Sequence, residues 1–387
     1  MQKTIKIFYT ISFLEACIFT TSVWAFFFTS YLNFSFHTAL ILTVLSGIVS
    51  FLFEIPSWAW ADKFGRKKLY LLGLFLIILS FSIWVFAKEI YLFVISAILN
   101  WIWFAITSGN LEAIIHDSLE EEKQEDKYKD IQANAYIWIF LGRAFSSVLA
   151  WYLFVLSPFF PIYATILSYV LALILIFFVE DKWQKLSEEK STKIHVQKSV
   201  NFIFSNKFIF NFIIILALIS SVWNIYWFTY QPYFKQIWIS IENIGFLFAI
   251  TWIFSAIWAN LIKKLQDKYT EKQIIFLMIF IIFISWVLFY SFSIIWAILW
   301  LILISIMFGF IMSFWNNVLI KKSPKTQKST ILSIFSFAIT IWYASFSIAS
   351  GYIVDYFWLK FLYFWNIILI LFLIIFSFLV LNIRKKF

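Results

Sequence analysis

The chain has 387 residues, of which 63% are hydrophobic and 13% are charged, and its mean hydropathy is +0.90. A soluble domain averages about 45–50% apolar and about 25% charged residues, so this composition excludes an ordinary soluble protein. Apolar stretches of about 18 or more residues recur along the chain, each long enough to cross a bilayer as a helix. The single cysteine, Cys17, excludes an internal disulfide and a cysteine-rich metal site.

We predict an all-α integral membrane protein, because backbone groups in lipid must be hydrogen-bonded within the segment that carries them. One long polar stretch divides the chain into two predicted six-helix bundles, residues 1–180 and 208–387, joined by a linker at 181–207. The twelve predicted transmembrane helices are Ile5–Leu32, Thr38–Trp60, Leu69–Ala87, Tyr91–Ile115, Ile131–Leu156, Phe160–Val179, Phe208–Tyr233, Ile241–Leu265, Gln273–Phe292, Ile294–Ile320, Ser329–Tyr356 and Leu359–Ile383.

The basic residues fall almost entirely on one side of this topology. Of the 30 Lys and Arg, 26 lie at or before the start of the first span, at or after the ends of even-numbered spans, or in the linker. The positive-inside rule therefore predicts cytoplasmic termini and a cytoplasmic linker, in a cell (inner or plasma) membrane. The net charge of +10 reflects this topology, and we expect no nucleic-acid partner.

Two ionisable residues lie deep within predicted spans. Glu15 is about ten residues into the first span and Arg143 about twelve into the fifth. A charge at such a depth costs roughly 2.5–3.5 kcal/mol, so it usually marks a pathway or a pair. One hypothesis is that Glu15 exchanges a proton or another cation and pairs with Arg143 in one state. The alternatives are a static ion pair, or a Glu15 side chain that lies along a cavity wall.

The loop between the second and third spans, residues 58–68, reads WAWADKFGRKK. It resembles the loop motif of the major facilitator superfamily, Gly-x-x-x-Asp-(Arg/Lys)-x-Gly-Arg-(Arg/Lys)-(Arg/Lys), with Trp58 in place of the first glycine. The preceding run Glu54-Ile55-Pro56-Ser57 is similar to an exporter-like branch of that family, in which Glu-Ile-Pro-Thr-Gly leads into the motif. The resemblance implies a secondary transporter.

The same resemblance implies a cytoplasmic gate made of Asp62, Gly65, Arg66, Glu112 and Asp117. In the family this loop latches the two halves, with its Asp facing the start of the eleventh helix, where the helix dipole favours an anion. The run EAIIHDSL that closes the fourth span is similar to an acidic signature of the exporters, and its second acid is the natural partner for the loop arginine.

Other polar residues near span ends are further cavity or gate candidates. Glu54, beside a proline, suits a gate. Asn316 and Asn317 precede a stretch that resembles the family's segment between the tenth and eleventh helices. Gln231, followed by Pro232, marks either an extracellular gate or a helix end.

The function that the resemblance implies is proton-coupled export of a small drug-like or amphiphilic solute. Uptake of a sugar, nucleoside or amino acid is the alternative within transport. The alternative from another class is a multi-helix membrane transferase, but three scattered histidines and short loops do not provide its polar site. No nucleotide-binding glycine loop is present in the sequence. We therefore expect a monomeric transporter without catalytic residues, cofactor or metal.

The chain has 21 Trp and only 8 Gly. Glycine averages about 7% of residues and is favoured where membrane helices pack closely. The family pattern has glycine at the positions of Trp58, Trp103 and Trp238. The second half of the chain has Gly351 at the position that corresponds to Trp151, 200 residues later. One hypothesis is that many of these tryptophans are UGA codons that the source organism reads as glycine. The alternative is an interfacial belt of tryptophans.

Overall fold

The computed structural model describes residues 2–43, 53, 60, 64–107, 110–124, 127–179, 200–324 and 328–382, with some side chains left out. All regular elements in these ranges are helical. The helices are α1 Gln2–Ala16, α2 Phe19–Phe26, α3 Arg66–Phe86, α4 Ile90–Thr107, α5 Asn110–Glu121, α6 Tyr128–Leu156, α7 Phe160–Ile176, α8 Lys207–Asn224, α9 Tyr226–Gln236, α10 Ile241–Lys268, α11 Glu271–Tyr290, α12 Ile294–Lys322 and α13 Lys328–Asn382.

Within the described ranges, seven helical stretches are long and apolar enough to cross a membrane, and three shorter apolar helices accompany them. One stretch, Ile334–Phe378, has 45 residues, about twice what a single span needs. It breaks at Trp358, where the backbone leaves the helical region, so it makes two spans. The described residues thus account for eleven of the twelve predicted spans. The remaining one, Thr38–Trp60, lies mostly outside them.

The chain forms two compact units. The first unit comprises Met1–Phe34, Ile41–Ser187 and Ile241–Ile253. The second unit comprises Ser35–Leu40, Glu188–Ser240 and Phe254–Phe387. Most of the predicted linker, residues 181–207, lies outside the described residues, so the division of the chain at that linker stays a prediction.

Close backbone contact holds the first unit together. α1 packs against α6 at Gly142, where an added Cβ would lie 2.4 Å from the backbone oxygen of Phe13. The Cys17 thiol lies 3.6 Å from the Gly142 carbonyl oxygen and donates to it. Small residues at a membrane-helix interface allow this approach, and dispersion forces between the helices then stabilise it.

Aromatic side chains form the core of the second unit. The Tyr233 and Phe289 rings stack with centroids 3.7 Å apart, and Phe289 also stacks on Trp300 at 4.2 Å. Tyr363 closes the cluster, with its ring 4.7 Å from that of Phe289. These residues come from α9, α11, α12 and α13 and are almost fully buried, so ring packing joins four helices.

The first span contains a break that the sequence did not predict. α1 ends at Ala16, and Ile18 has a non-helical backbone with φ −95° and ψ 85° before α2 begins. The backbone N–H of Thr20, at the start of α2, donates to the Thr165 hydroxyl at 3.4 Å. A side chain from α7 thus satisfies a donor that the broken helix leaves free.

Two tryptophans have backbone conformations that favour glycine. Trp238 has φ 63° and Trp358 has φ 75°. Trp151 is fully buried, and its ring would lie 2.5 Å from a Cβ added to Gly245. Trp103 packs against Gly73, where an added Cβ would lie 3.3 Å from its ring. Trp58 lies outside the described residues.

Candidate functional site

Glu15 and Arg143 lie near the middle of their spans. Arg143 is thirteen residues from either end of the apolar stretch Asp130–Leu156. Glu15 is thirteen residues from the start of the stretch Gln2–Tyr31 and adjoins the break that follows α1. At 1.5 Å per residue, both residues are about 20 Å along their helices from the first residue of the span. An acidic and a basic residue of the first unit thus both lie near the middle of their spans.

Tyrosines surround the Glu15 carboxyl group. The Tyr70 hydroxyl faces it without completing a hydrogen bond, and one carboxyl oxygen, Oε1, is buried without a partner. Tyr169 donates its hydroxyl to the backbone oxygen of Glu15 at 3.3 Å. This environment contains polar groups but no cation paired with the carboxyl among the described residues.

The Arg143 guanidinium lies over an aromatic ring. Its Cζ atom is 4.6 Å from the ring centroid of Trp252, which is contributed by α10. A cation–π contact of this kind is worth about 0.5–2 kcal/mol. Among the described residues, no carboxylate forms an ion pair with this guanidinium. The Tyr169 hydroxyl is the polar group within electrostatic range of both Arg143 and Glu15.

The structure therefore does not join the two central ionisable residues. Glu15 and Arg143 belong to the same unit, and both are described, yet no ion pair connects them in this conformation. Pairing in another conformation stays a prediction.

Two of the predicted gate residues meet where α3 begins. The Arg66 Nη1 donates to the Asp117 carboxylate, and this ion pair is partly buried. Gly65 precedes α3 with φ 94°, a conformation that glycine adopts at no steric cost. Two other predicted gate residues, Asp62 and Glu54, lie outside the described residues.

Glu112, also predicted for the gate, takes no part in the ion pair between Arg66 and Asp117. Its place in a gate stays a prediction. Glu112 instead lies within electrostatic range of Tyr128 and Tyr136, and also of Glu15. The helical period explains the difference, because residues five positions apart on α5 project from different sides of the helix.

A second ion pair in the other unit repeats the first with its charges exchanged. Lys322 Nζ lies 3.0 Å from the Glu271 carboxylate. These residues stand 205 positions after Asp117 and Arg66 respectively, so acid and base have changed places. Lys322 also lies 4.3 Å from the ring centroid of Phe208. Sequence reasoning missed this pair, although Asp267-Lys268 follows Asp62-Lys63 at the same offset of 205 residues.

A third polar contact was also missed. The Asp355 carboxylate accepts hydrogen bonds from the backbone N–H groups of Phe36 and His37, at 3.2 and 2.9 Å. The His37 ring lies 3.8 Å from the ring of Tyr352. Residues 36–43 are helical, so the carboxylate caps the start of that helix from 318 residues away.

The remaining cavity candidates are placed as follows. Gln231 is almost fully buried, and its Nε2 donates to the hydroxyl of Tyr230 at 2.9 Å. Pro232 lies inside α9, which continues to Gln236, so the pair does not mark the end of that helix. Asn316 and Asn317 lie on α12, and their side chains are not among those described.

Comparison with known proteins decides the family. The family model described as "Major Facilitator Superfamily" matches residues 7–347, which is most of the chain. The chain belongs to the major facilitator superfamily.

Individual proteins agree with this assignment. The "Uncharacterized transporter BU466" of Buchnera aphidicola subsp. Acyrthosiphon pisum (strain APS) is 24% identical over 313 residues, covering 75% of this chain and 74% of that protein. Among solved structures, the nucleoside transporter NupG has a TM-score of 0.82 at 14% identity, over 98% of this chain and 99% of that one. A D-xylose–proton symporter has a TM-score of 0.74 at 14% identity, over 97% and 95%.

The family and the described helices together establish three points. The chain is a multi-pass membrane protein with the all-α major facilitator fold, and the described helices are consistent with twelve spans. It belongs with transporters of small molecules. The resemblance of the loop at residues 58–68 to this superfamily correctly indicated the family.

Proposed function

We propose that this chain is a secondary transporter that couples movement of a small amphiphilic solute to proton entry, with Glu15 as the proton carrier. The observation that carries the proposal is the Glu15 carboxyl group, which lies at the centre of a span beside a helix break and has no ion-pair partner among the described residues. In low dielectric, a carboxyl group is stable when it carries a proton or faces a cation. It can therefore hold a proton in one conformation and release it in another.

The break after α1 supports this role. Transporter sites form near the middle of the bilayer, often where a helix is discontinuous. Here the two parts of the first span, α1 and α2, meet at Cys17 and Ile18, directly after Glu15. A small rotation at this joint would move the carboxyl group relative to Tyr70 and Tyr169 without breaking either helix.

The ion pairs at the helix ends suit a transporter that moves rigid parts. Arg66 and Asp117 tie the start of α3 to α5, and Glu271 and Lys322 tie the start of α11 to the end of α12. We propose that Asp62 completes the cytoplasmic gate near the start of α13, around Ser329. Both termini are cytoplasmic in this proposal.

The proposed direction is export, on the similarity of residues 54–57 to the exporter-like branch. Uptake is the second candidate. It is supported by the likeness in fold to a nucleoside transporter and to a D-xylose–proton symporter. A gradient that drives protons into the cell would drive the solute out if the chain is an exporter. The same gradient would drive the solute in if the chain works in uptake.

The test is flux in proteoliposomes with and without a pH gradient, for a panel of labelled solutes. Glu15→Gln should abolish pH-driven flux and preserve exchange of labelled for unlabelled solute. Glu89→Gln, which removes an exposed carboxylate in the turn before α4, should leave both fluxes unchanged. Wild-type pH dependence in the Glu15→Gln protein would rule out Glu15 as the carrier.

A further inference from the structure

We infer that the solute is an organic anion whose carboxylate or phosphate group binds the Arg143 guanidinium. This inference rests on the proposed transport of an amphiphilic solute and adds its charge. It does not depend on proton coupling or on the direction of transport.

The first argument is the balance of charge around Arg143. A cation at the centre of a span costs roughly 2.5–3.5 kcal/mol, and a cation–π contact returns about 0.5–2 kcal/mol. The contact with Trp252 is therefore not a full compensation. No carboxylate among the described residues supplies the rest, so an anion from outside the chain would complete the site.

Three described acids of the same unit are not paired with Arg143 in this conformation. The carboxyl group of Glu15 faces Tyr70, and the surroundings of Glu112 include Tyr128. Asp130, on the same helix as Arg143, is thirteen residues away, which is about 20 Å along the axis. At that separation it does not neutralise the guanidinium.

The second argument is the choice of arginine. Only three of the 30 basic residues are Arg, and the other 27 are Lys. Arg66 makes an ion pair with a carboxylate, and Arg384 lies in the C-terminal tail outside the described residues. A guanidinium presents a planar fork of donors that matches the two oxygens of a carboxylate or phosphate, which an ammonium does not. An arginine at position 143 is therefore suited to bind an oxyanion and not merely to add charge.

The third argument is the position of the helix break. α2 begins at Phe19, and Cys17, two residues earlier, donates to the carbonyl of Gly142, the neighbour of Arg143. The first turn of a helix carries a partial positive charge and N–H groups that favour anions. The start of α2 thus lies near the same turn of α6 as Arg143, although the Thr20 N–H there already donates to Thr165.

The surroundings indicate the rest of the solute. The Trp252 ring is nearly buried, and the Phe140 ring lies 6.0 Å from it. Because both rings are buried in this conformation, an aromatic or aliphatic body next to the anionic group would replace part of their present packing. An amphiphilic organic anion would suit these apolar surroundings better than a hydrated inorganic ion.

The test is thermal unfolding of the purified protein in detergent, with solutes supplied as pairs that differ in charge. Suitable pairs are benzoate with benzamide and uridine 5′-monophosphate with uridine, and inorganic phosphate and chloride complete the panel. We expect an anionic member to raise the unfolding temperature, while its neutral partner has a smaller effect. In Arg143→Gln, the apparent affinity for that anion should fall by at least about tenfold, and Arg143→Lys should lie between, because it keeps the charge and loses the fork.

Lys88→Gln is the matched control, because it removes an exposed cation of the same unit, in the turn between α3 and α4 and away from the centre of the span. The stabilising anion should bind this variant as it binds the wild type. The inference is overturned if no organic anion stabilises the wild type, if neutral partners stabilise it equally, or if Arg143→Gln keeps the preference for anions. Stabilisation by inorganic phosphate alone would also overturn it.

The assay separates this inference from proton coupling. Glu15→Gln should retain binding of the anion in detergent, since it removes the proposed proton carrier and not the guanidinium. Loss of pH-driven flux with retained anion binding would concern the coupling alone. pH-driven flux of neutral solutes through the wild type, with no preference for anions, would refute the anionic substrate alone.

Discussion

The backbone at Trp358 predicts that a smaller residue would stabilise the protein. Its φ of 75° and ψ of 156° lie in a region that only glycine adopts without strain, and other residues there cost about 1–3 kcal/mol. The side chain is 76% exposed, so its removal loses little packing within the protein. Glycine loses more backbone entropy on folding, by roughly 0.5–1 kcal/mol. We therefore expect Trp358→Gly to raise the free energy of unfolding, by up to about 2.5 kcal/mol.

Trp365→Gly is the matched control for this change. Trp365 is 44% exposed and lies on the same helix, where the backbone is regular. Glycine there should destabilise the protein by about 0.5 kcal/mol through lost helix propensity, and further through lost packing of the covered part of the ring. The assay is thermal unfolding of both purified variants in one detergent. Equal destabilisation by the two substitutions would refute the assignment of strain to Trp358.

The codons of the gene test in a second way whether glycine belongs at these positions. If UGA codons are read as glycine in the source organism, the codons for Trp238 and Trp358, both at positive φ, should be UGA. Trp238 is 93% exposed, so packing does not require its ring. UGG codons at both positions would show that these tryptophans are native.

Three further predictions concern packing and the ion pairs. Gly142→Ala should lower the free energy of unfolding by about 1–3 kcal/mol, measured by thermal unfolding, because the added methyl meets a backbone oxygen at 2.4 Å. Asp117→Asn should reduce flux in proteoliposomes without loss of membrane insertion, because Arg66 loses its partner; full flux would show that the pair has no part in transport. Glu271→Lys and Lys322→Glu should each lower the unfolding temperature, and the double variant should restore it, whereas additive losses would contradict a direct pair.

The features that sequence reasoning found are local ones. Hydropathy averaged over a span-length window predicts a membrane helix without knowledge of its neighbours. Glu15 and Arg143 were found in the same way, because a charged residue within an apolar stretch can be identified from the sequence without knowing its contacts. The pairing of Arg66 with Asp117 was anticipated from the family motif, and the structure shows those two side chains in contact.

The features that it missed depend on contacts distant in sequence. The break after α1 contains no Gly or Pro, and a hydroxyl from Thr165 satisfies a backbone donor there, 145 residues from Thr20. The cap that Asp355 provides for the helix at residues 36–43 spans 318 residues. No local pattern encodes either contact, because each requires the partner helix to be in place.

The exchanged charges of the two ion pairs have an evolutionary consequence. If the halves of the chain descend from one duplicated gene, Arg66–Asp117 and Glu271–Lys322 began as the same pair, and one copy has since been inverted. Inversion passes through an ancestor with two like charges or with one neutral residue. Because these side chains are 19–39% exposed, water would screen such an ancestor at little cost. On that account an attraction between two helix ends is what the two halves share, and either end can carry the acid.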